Sequence, residues 1–210
     1  MFNKANICSF IIILFHLVGL YGFLNPHLSD LFIRLVPLHL MLMLLLMMIS
    51  GYDRSTSILV FGLVVYAAGF LVEVAGVNTG LIFGSYTYGR TLGTQVWNTP
   101  LLIGVNWLVL VYTTGVMLSV YQLSKYLLAF LGAGILVAID ILIEPVAIKY
   151  DYWSWAGGVI PLQNYIGWFF VAFLMFLFFD RMNFKKQNSS AIVLFVAQLC
   201  FFMILNRWST

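Results

Sequence analysis

Charge is what this sequence has least of. Lys, Arg, Asp and Glu together make up 8% of its 210 residues, against roughly 25% in soluble domains. That deficit excludes a water-soluble fold. Cysteine is nearly absent as well: Cys8 and Cys200 both fall inside apolar stretches, which excludes a disulfide framework or a cysteine-based metal cluster. The three histidines, His16, His27 and His39, do not stand at metal-ligand spacing. They read as polar residues at helix ends or inside the bundle, and neither a metal nor a cofactor is expected. A net charge of +3, spread over short loops, leaves no surface for nucleic acid. The alternation of polar and apolar residues that a membrane barrel strand needs is missing too.

What is present is hydrocarbon. Hydrophobic residues account for 63% of the chain, in long unbroken runs, and in lipid such runs close their backbone hydrogen bonds as helices. Seven are expected: about Ala5 to Phe23, Leu31 to Ile49, Ser57 to Gly76, Pro100 to Tyr121, Tyr126 to Ile148, Asn164 to Phe179 and Ala191 to Asn206. The fold class is therefore all-α, a polytopic membrane helix bundle forming one integral membrane domain over 1–210, multi-pass in the cell membrane. The first run is followed by no small-x-small cleavage site and counts as a helix. Turns are expected at 24–30 and at Gly51 to Arg54. The methionines of the second helix suit adaptable packing. The Asn188-Ser189-Ser190 sequon is read as accidental. Lys4, Arg54, Lys125, Arg181, Lys185 and Lys186 fall on one side, six against four for Arg34, Arg90, Lys149 and Arg207. This bias puts the N-terminus in the cytoplasm.

Three carboxylates break the apolar runs. Glu73 lies in the last turn expected for the third helix; Asp140 and Glu144 lie four apart on the fifth, hence on one face. Glu73 and Glu144 each precede a connection rich in glycine and aromatics, 77–99 and 149–163. One helical hairpin separates these connections, so both leave the membrane on the same side. The three acids are therefore expected at one depth, and ionisable groups inside membranes mark functional sites. The sequence also echoes itself. Glu73 is followed by an aromatic loop, Pro100 and, seven residues on, Trp107; Glu144 by an aromatic loop, Pro161 and, seven residues on, Trp168. The two helix pairs read as parallel repeats around one site.

A carboxyl group withdrawn from water, with another beside it, holds its proton more tightly and can act as a general acid. Around the acids stand Tyr86, Tyr88, Trp97, Trp107, Tyr152, Trp153, Trp155, Tyr165 and Trp168, whose ring faces attract cations. An acid beside an aromatic wall suits protonation of an alkene and stabilisation of the carbocation that follows. The substrate would be a lipid-soluble polyene or isoprenoid. Each aromatic also has a plainer reading as an interfacial anchor, and each glycine as a close-packing residue. Asn106 and Asn164 are read equally as interhelical hydrogen-bonders and as groups that orient a water molecule. The three acids have no Lys or Arg within helices three to six to neutralise them, save at the ends.

Two blocks extend this reading. The first runs from Glu73 through Gly76, Val77, Thr79, Gly80, Phe83, Gly84, Tyr86, Tyr88, Gly89, Leu92 and Gly93 to the segment from Pro100 to Trp107. The second holds Asp140, then Glu144 to Ala147, Tyr152, Trp153, Trp155, Ile160, Pro161, Asn164 and Tyr165. Together, over about 73–168, they resemble the membrane carotenoid-biosynthesis family that includes carotenoid 1,2-hydratases and bisanhydrobacterioruberin hydratase. One departure is that Asn98-Thr99 precedes Pro100 where a small residue or Gly is expected.

The resemblance implies a hydro-lyase that needs no cofactor. It would take a carotenoid from the bilayer and add water across a terminal isopropylidene double bond, giving a tertiary alcohol. Glu73 or Asp140 would donate the proton, with Glu144 tuning the pair or activating water. Tyr86, Tyr88, Trp107 and Trp153 would line the cation site, with Asn106, Trp155, Asn164 and Tyr165 as further substrate contacts. Two other readings stand beside it: a carotenoid cyclase, which begins with the same protonation, and a proton- or cation-coupled transporter.

Overall fold

A computed structural model describes residues 3–51 and 53–208, and among them seven helices are long and apolar enough to cross a membrane. They are α1 (Lys4–Leu24), α2 (Ser29–Ser50), α3 (Thr56–Thr79), α4 (Leu102–Ser119), α5 (Lys125–Lys149), α6 (Leu162–Arg181) and α7 (Ser189–Arg207). Their 18 to 25 residues, at 1.5 Å per residue, cover about 27–38 Å and match a hydrocarbon core of about 30 Å. The chain is a multi-pass membrane helix bundle. Tyr52, in the turn expected from Gly51 to Arg54, lies outside the described residues.

Helix ends follow local chemistry. Asn3, Ser124 and Asn188 cap α1, α5 and α7, each side-chain oxygen accepting a backbone N–H of the first turn. Asn188 is buried and also bonds to Ser50 and Met47 of α2, so the sequon belongs to a helix cap. Helix α3 continues to Thr79 and stops at Gly80, in the left-handed conformation with φ 67°. Glu73 therefore stands nearly two turns inside the helix, deeper than the last turn expected for it.

Helix α4 is the axis of the bundle. Of its span 72% is buried, against 22–44% for the others, and it packs on α2, α3, α5, α6 and α7. Two glycines and two threonines along it, Gly104, Gly115, Thr113 and Thr114, let neighbours come close. Against α3 the approach is tightest at Gly69, where a β-carbon would stand 2.6 Å from Cβ of Trp107. Small residues at helix crossings are how membrane bundles gain packing without a hydrophobic driving force.

The two connections expected to be loops contain strands. β1 (Tyr86–Tyr88) pairs antiparallel with β4 (Trp153–Trp155), with Tyr86 opposite Trp155, Thr87 opposite Ser154 and Tyr88 opposite Trp153. β2 (Gln95–Val96) and β3 (Thr99–Pro100) form a hairpin, so Pro100 closes a strand pair instead of starting α4. The hairpin turns at Trp97 and Asn98, both at positive φ (52° and 61°), as a two-residue mirror-image turn requires. Asn98 is thus the turn residue where the motif departs from a small residue, and Thr99 behind it is wholly buried.

Candidate active site

The β1–β4 clip determines what the acids touch. Side chains along a strand alternate faces, so Tyr86, Tyr88, Trp153 and Trp155 share the face turned to the bundle, while Thr87 and Ser154 face out. From β1, Tyr86 and Tyr88 donate their hydroxyl hydrogens to Glu73 Oε2 at 2.6 and 2.7 Å. From β4, Trp153 and Trp155 donate their indole N–H groups to Glu144 Oε2 at 3.0 and 2.9 Å. Trp107 of α4 donates to the other oxygen of Glu73 at 2.9 Å. Each strand holds one glutamate, and the clip holds the strands to one another.

Asp140 is treated differently. Its Oδ2 accepts one bond, from Asn164 Nδ2 of α6 at 2.7 Å. The three acids thus carry three, two and one donors. Both oxygens of Glu73 are engaged, whereas Glu144 Oε1 and Asp140 Oδ1 have no donor among the described residues. Burial, with the charge of Glu73 adding to it, holds the phenol protons of Tyr86 and Tyr88 above the usual tyrosine range, so both remain donors.

All three carboxyl groups line one small chamber, with Phe83, Tyr86, Tyr88, Ile103, Trp153, Trp155, Asn164 and Trp168 as the remaining wall. Each acid is at most 2% exposed. The chamber's free volume is about 20 Å³, room for about one water molecule. Among the described residues no three His, Cys, Asp or Glu side chains stand close enough to hold a metal ion. Glu73 faces the chamber from α3, and Asp140 and Glu144 face it from one side of α5.

The chamber has two neighbours. On the bundle side, sharing Ile103 and Trp153 with it, lies an apolar cavity of about 350 Å³ between α1, α2, α4 and α7. Several of its residues, among them Phe15, Val18 and Leu38, belong to the lipid-facing surface of α1 and α2. On the loop side, sharing Tyr86 and Trp155, lies an open groove of about 370 Å³ lined by Asn78, Thr79, Ser85, Thr87 and Ser154 among others. A polar groove and a hydrocarbon cavity thus each adjoin the chamber of the carboxylates through different residues.

Most of the residues singled out in the sequence meet here. Glu73, Asp140, Glu144, Tyr86, Tyr88, Trp153, Trp155 and Asn164 line the chamber. Trp107 stands behind Glu73, wholly buried, with its ring stacked on Trp168 at 4.2 Å. Asn106 faces the apolar cavity, and Tyr165 lines neither space. Sequence reasoning named Phe83 in the first block, and Ile103 only within its closing segment, but gave neither a place in the site, since they carry no chemistry of their own. It passed over the large cavity, since α1, α2 and α7 offered no motif. The strands did leave a signal: Tyr-x-Tyr and Trp-x-Trp are the period-two pattern of a half-buried strand.

A family model described as carotenoid biosynthesis protein matches residues 35–209. The chain is also similar to the bisanhydrobacterioruberin hydratase of Haloarcula japonica, 30% identical over 153 residues, which is 64% of this chain and 50% of that protein. It spans about half the length of that curated relative. No solved structure matches it.

Proposed function

Starting from the chain's membership of the carotenoid biosynthesis protein family, we propose that it is a carotenoid hydratase acting on a terminal isopropylidene group. The relative in Haloarcula japonica that carries the name of a hydratase supports this reading. The observation that carries it is the chamber: three carboxyl groups around a space for one water, with a hydrocarbon cavity behind Ile103 and Trp153.

The residues divide the work by their free oxygens. Asp140, held by Asn164 through one oxygen only, transfers its proton to the CH carbon of the alkene. The positive charge falls on the adjacent carbon that bears two methyl groups. Glu73, with both oxygens fixed by three donors, stays in place as the counter-charge, and the rings of Trp153, Trp155 and Trp168 face the cation. A water molecule taken up in the chamber adds to the cationic carbon and gives up a proton to Glu144 Oε1, one helical turn from Asp140, from where the proton returns to the acid. One alkene and one water give one tertiary alcohol. The equation balances without an oxidant, a reductant or an activated group, so the chemistry needs no cofactor. The substrate end reaches Asp140 by parting the wall at Ile103, and water enters from the groove past Tyr86 and Trp155. The reading puts the protein in the cytoplasmic membrane, within reach of a substrate dissolved there.

The test is expression in a lycopene-producing cell with mass analysis of the pigments. Hydration adds one water to the mass; a cyclase, in which an internal alkene captures the cation, gives an isomer of unchanged mass. Removal of a general acid costs about 10²–10⁴-fold, and Asp140→Asn is expected to lose that much while the protein still accumulates in the membrane. Full activity of both Asp140→Asn and Glu73→Gln would overturn the proposal.

A further inference from the structure

The apolar cavity is not uniformly apolar. His16 of α1, His39 of α2 and Gln198 of α7 all line it, although they come from three helices and share no motif. The rings of His16 and His39 meet edge to face with centroids 4.9 Å apart. Resting on the hydratase reading of the adjoining chamber, we infer that these three side chains form a recognition site for a hydroxyl group on the isoprenoid chain whose end reaches the carboxylates.

The hydrogen-bonding inventory selects the ligand. His16 Nδ1 lies 2.8 Å from the carbonyl oxygen of Ile12. A carbonyl only accepts, so Nδ1 carries the hydrogen and the neutral ring is left with Nε2 as an acceptor. Gln198 is nine-tenths buried, and its amide oxygen has no partner among the described residues. Buried polar atoms are nearly always paired, so the Gln198 oxygen calls for a donor, and His16 Nε2 can accept from one as well. A keto group or an ether has none to give. A hydroxyl gives its one hydrogen to one of these two acceptors and accepts another, which the Gln198 amide N–H can supply.

Depth excludes the commonest competitor. His16 is eight residues from the loop-side end of α1, His39 ten from that of α2 and Gln198 nine from that of α7, which at 1.5 Å per residue is about 12–15 Å. That is the middle of a hydrocarbon core about 30 Å thick, beyond a phospholipid headgroup. Asp140, nine residues from the end of α5, stands at the same depth. A chain touching both therefore lies across the bundle instead of along its axis.

The experiment measures retention, not turnover. The purified protein in detergent is exposed to lycopene or to a polyene of the same length bearing one tertiary hydroxyl, washed, and the bound pigment read by absorbance. Wild type is expected to retain the hydroxylated polyene about tenfold better, the worth of one net hydrogen bond. His16→Leu and, separately, the volume-conserving Gln198→Met are expected to bring it down to the lycopene level while lycopene retention is unchanged. Equal retention of the two polyenes by wild type, retention of neither, or a preference that survives in both variants overturns the site. Asp140→Asn separates the two readings: it should lose conversion and keep the preference. If wild type shows the preference but converts neither polyene, the hydratase reading falls and the site stands; conversion without preference gives the reverse.

Discussion

At the scale of single residues, the three acids are distinguished by their donors and not by their type. Glu73 accepts from Tyr86, Tyr88 and Trp107; Asp140 accepts from Asn164 alone. A carboxyl group with every oxygen engaged is held in one orientation, whereas one with a free oxygen can give or take a proton at that oxygen. Removing one phenol from Glu73 should weaken its hold without removing the acid. Tyr88→Phe is expected to lower turnover by about 10- to 150-fold, as the loss of one hydrogen bond to a charged group predicts. Burial keeps the Tyr88 phenol above the usual tyrosine range, so it is still a donor in alkali. The ratio of variant to wild-type rates should therefore be the same at about pH 7 and about pH 9.5, both below the ordinary tyrosine pKa of about 10. A ratio that closes toward one at the higher pH would mean that the phenol ionises within that range.

At the scale of elements, the β1–β4 clip does what neither strand does alone. A pair of three-residue strands is marginal in isolation. Here its inner face is tied down by four hydrogen bonds to two glutamates. Its outer face is available for a test. The Thr87 and Ser154 hydroxyls lie 3.1 Å apart, close enough for cysteines at the two positions to meet disulfide geometry. Thr87→Cys combined with Ser154→Cys is expected to cross-link on mild oxidation, read by loss of thiol labelling, with hydration retained because both side chains point away from the chamber. Failure to cross-link would mean that the strands part in the membrane.

The clip also marks where the sequence stopped being legible. Glu73, Asp140 and Glu144 were visible because a charge in an apolar run stands out, and their shared depth followed from counting helices. The seven helices were visible for the same reason, hydrocarbon length. The Tyr-x-Tyr and Trp-x-Trp alternations were too short to distinguish from aromatic loops. Their partnership lies 67 residues apart at Thr87 and Ser154, a distance over which local pattern carries no information. His16 and His39 were hidden differently. Each alone on an apolar helix is unremarkable, and only the packing of α1 on α2 and α7 brings them to one wall with Gln198.

At the scale of the whole molecule, the chamber is the meeting point of two media. The groove brings it to the aqueous loop face, and the cavity brings it to the lipid between α1 and α2. Ile103, shared by chamber and cavity and 2% exposed, is the narrow place on the hydrocarbon side. Ile103→Trp is expected to lower kcat/KM by at least about tenfold, the equivalent of about 1.4 kcal/mol, while pigment retained in the outer cavity is unchanged. Equal loss of retention would place the obstruction in the cavity itself.

The antiparallel clip and the stacked pair Trp107 and Trp168 relate the α3–α4 and α5–α6 halves to one another, but the relation breaks at one point. Four residues before Glu144 stands Asp140; four residues before Glu73 stands Gly69, its space taken by Trp107. An acid at this position thus exists on one side of the chamber only, and under the proposed reaction this has a stereochemical consequence. An alkene seated between the halves would be protonated from a single face. Hydration in heavy water would then place deuterium on the new CHD carbon with one handedness, which nuclear magnetic resonance of a chiral derivative can read. A racemic centre would mean that protons reach the substrate from both sides.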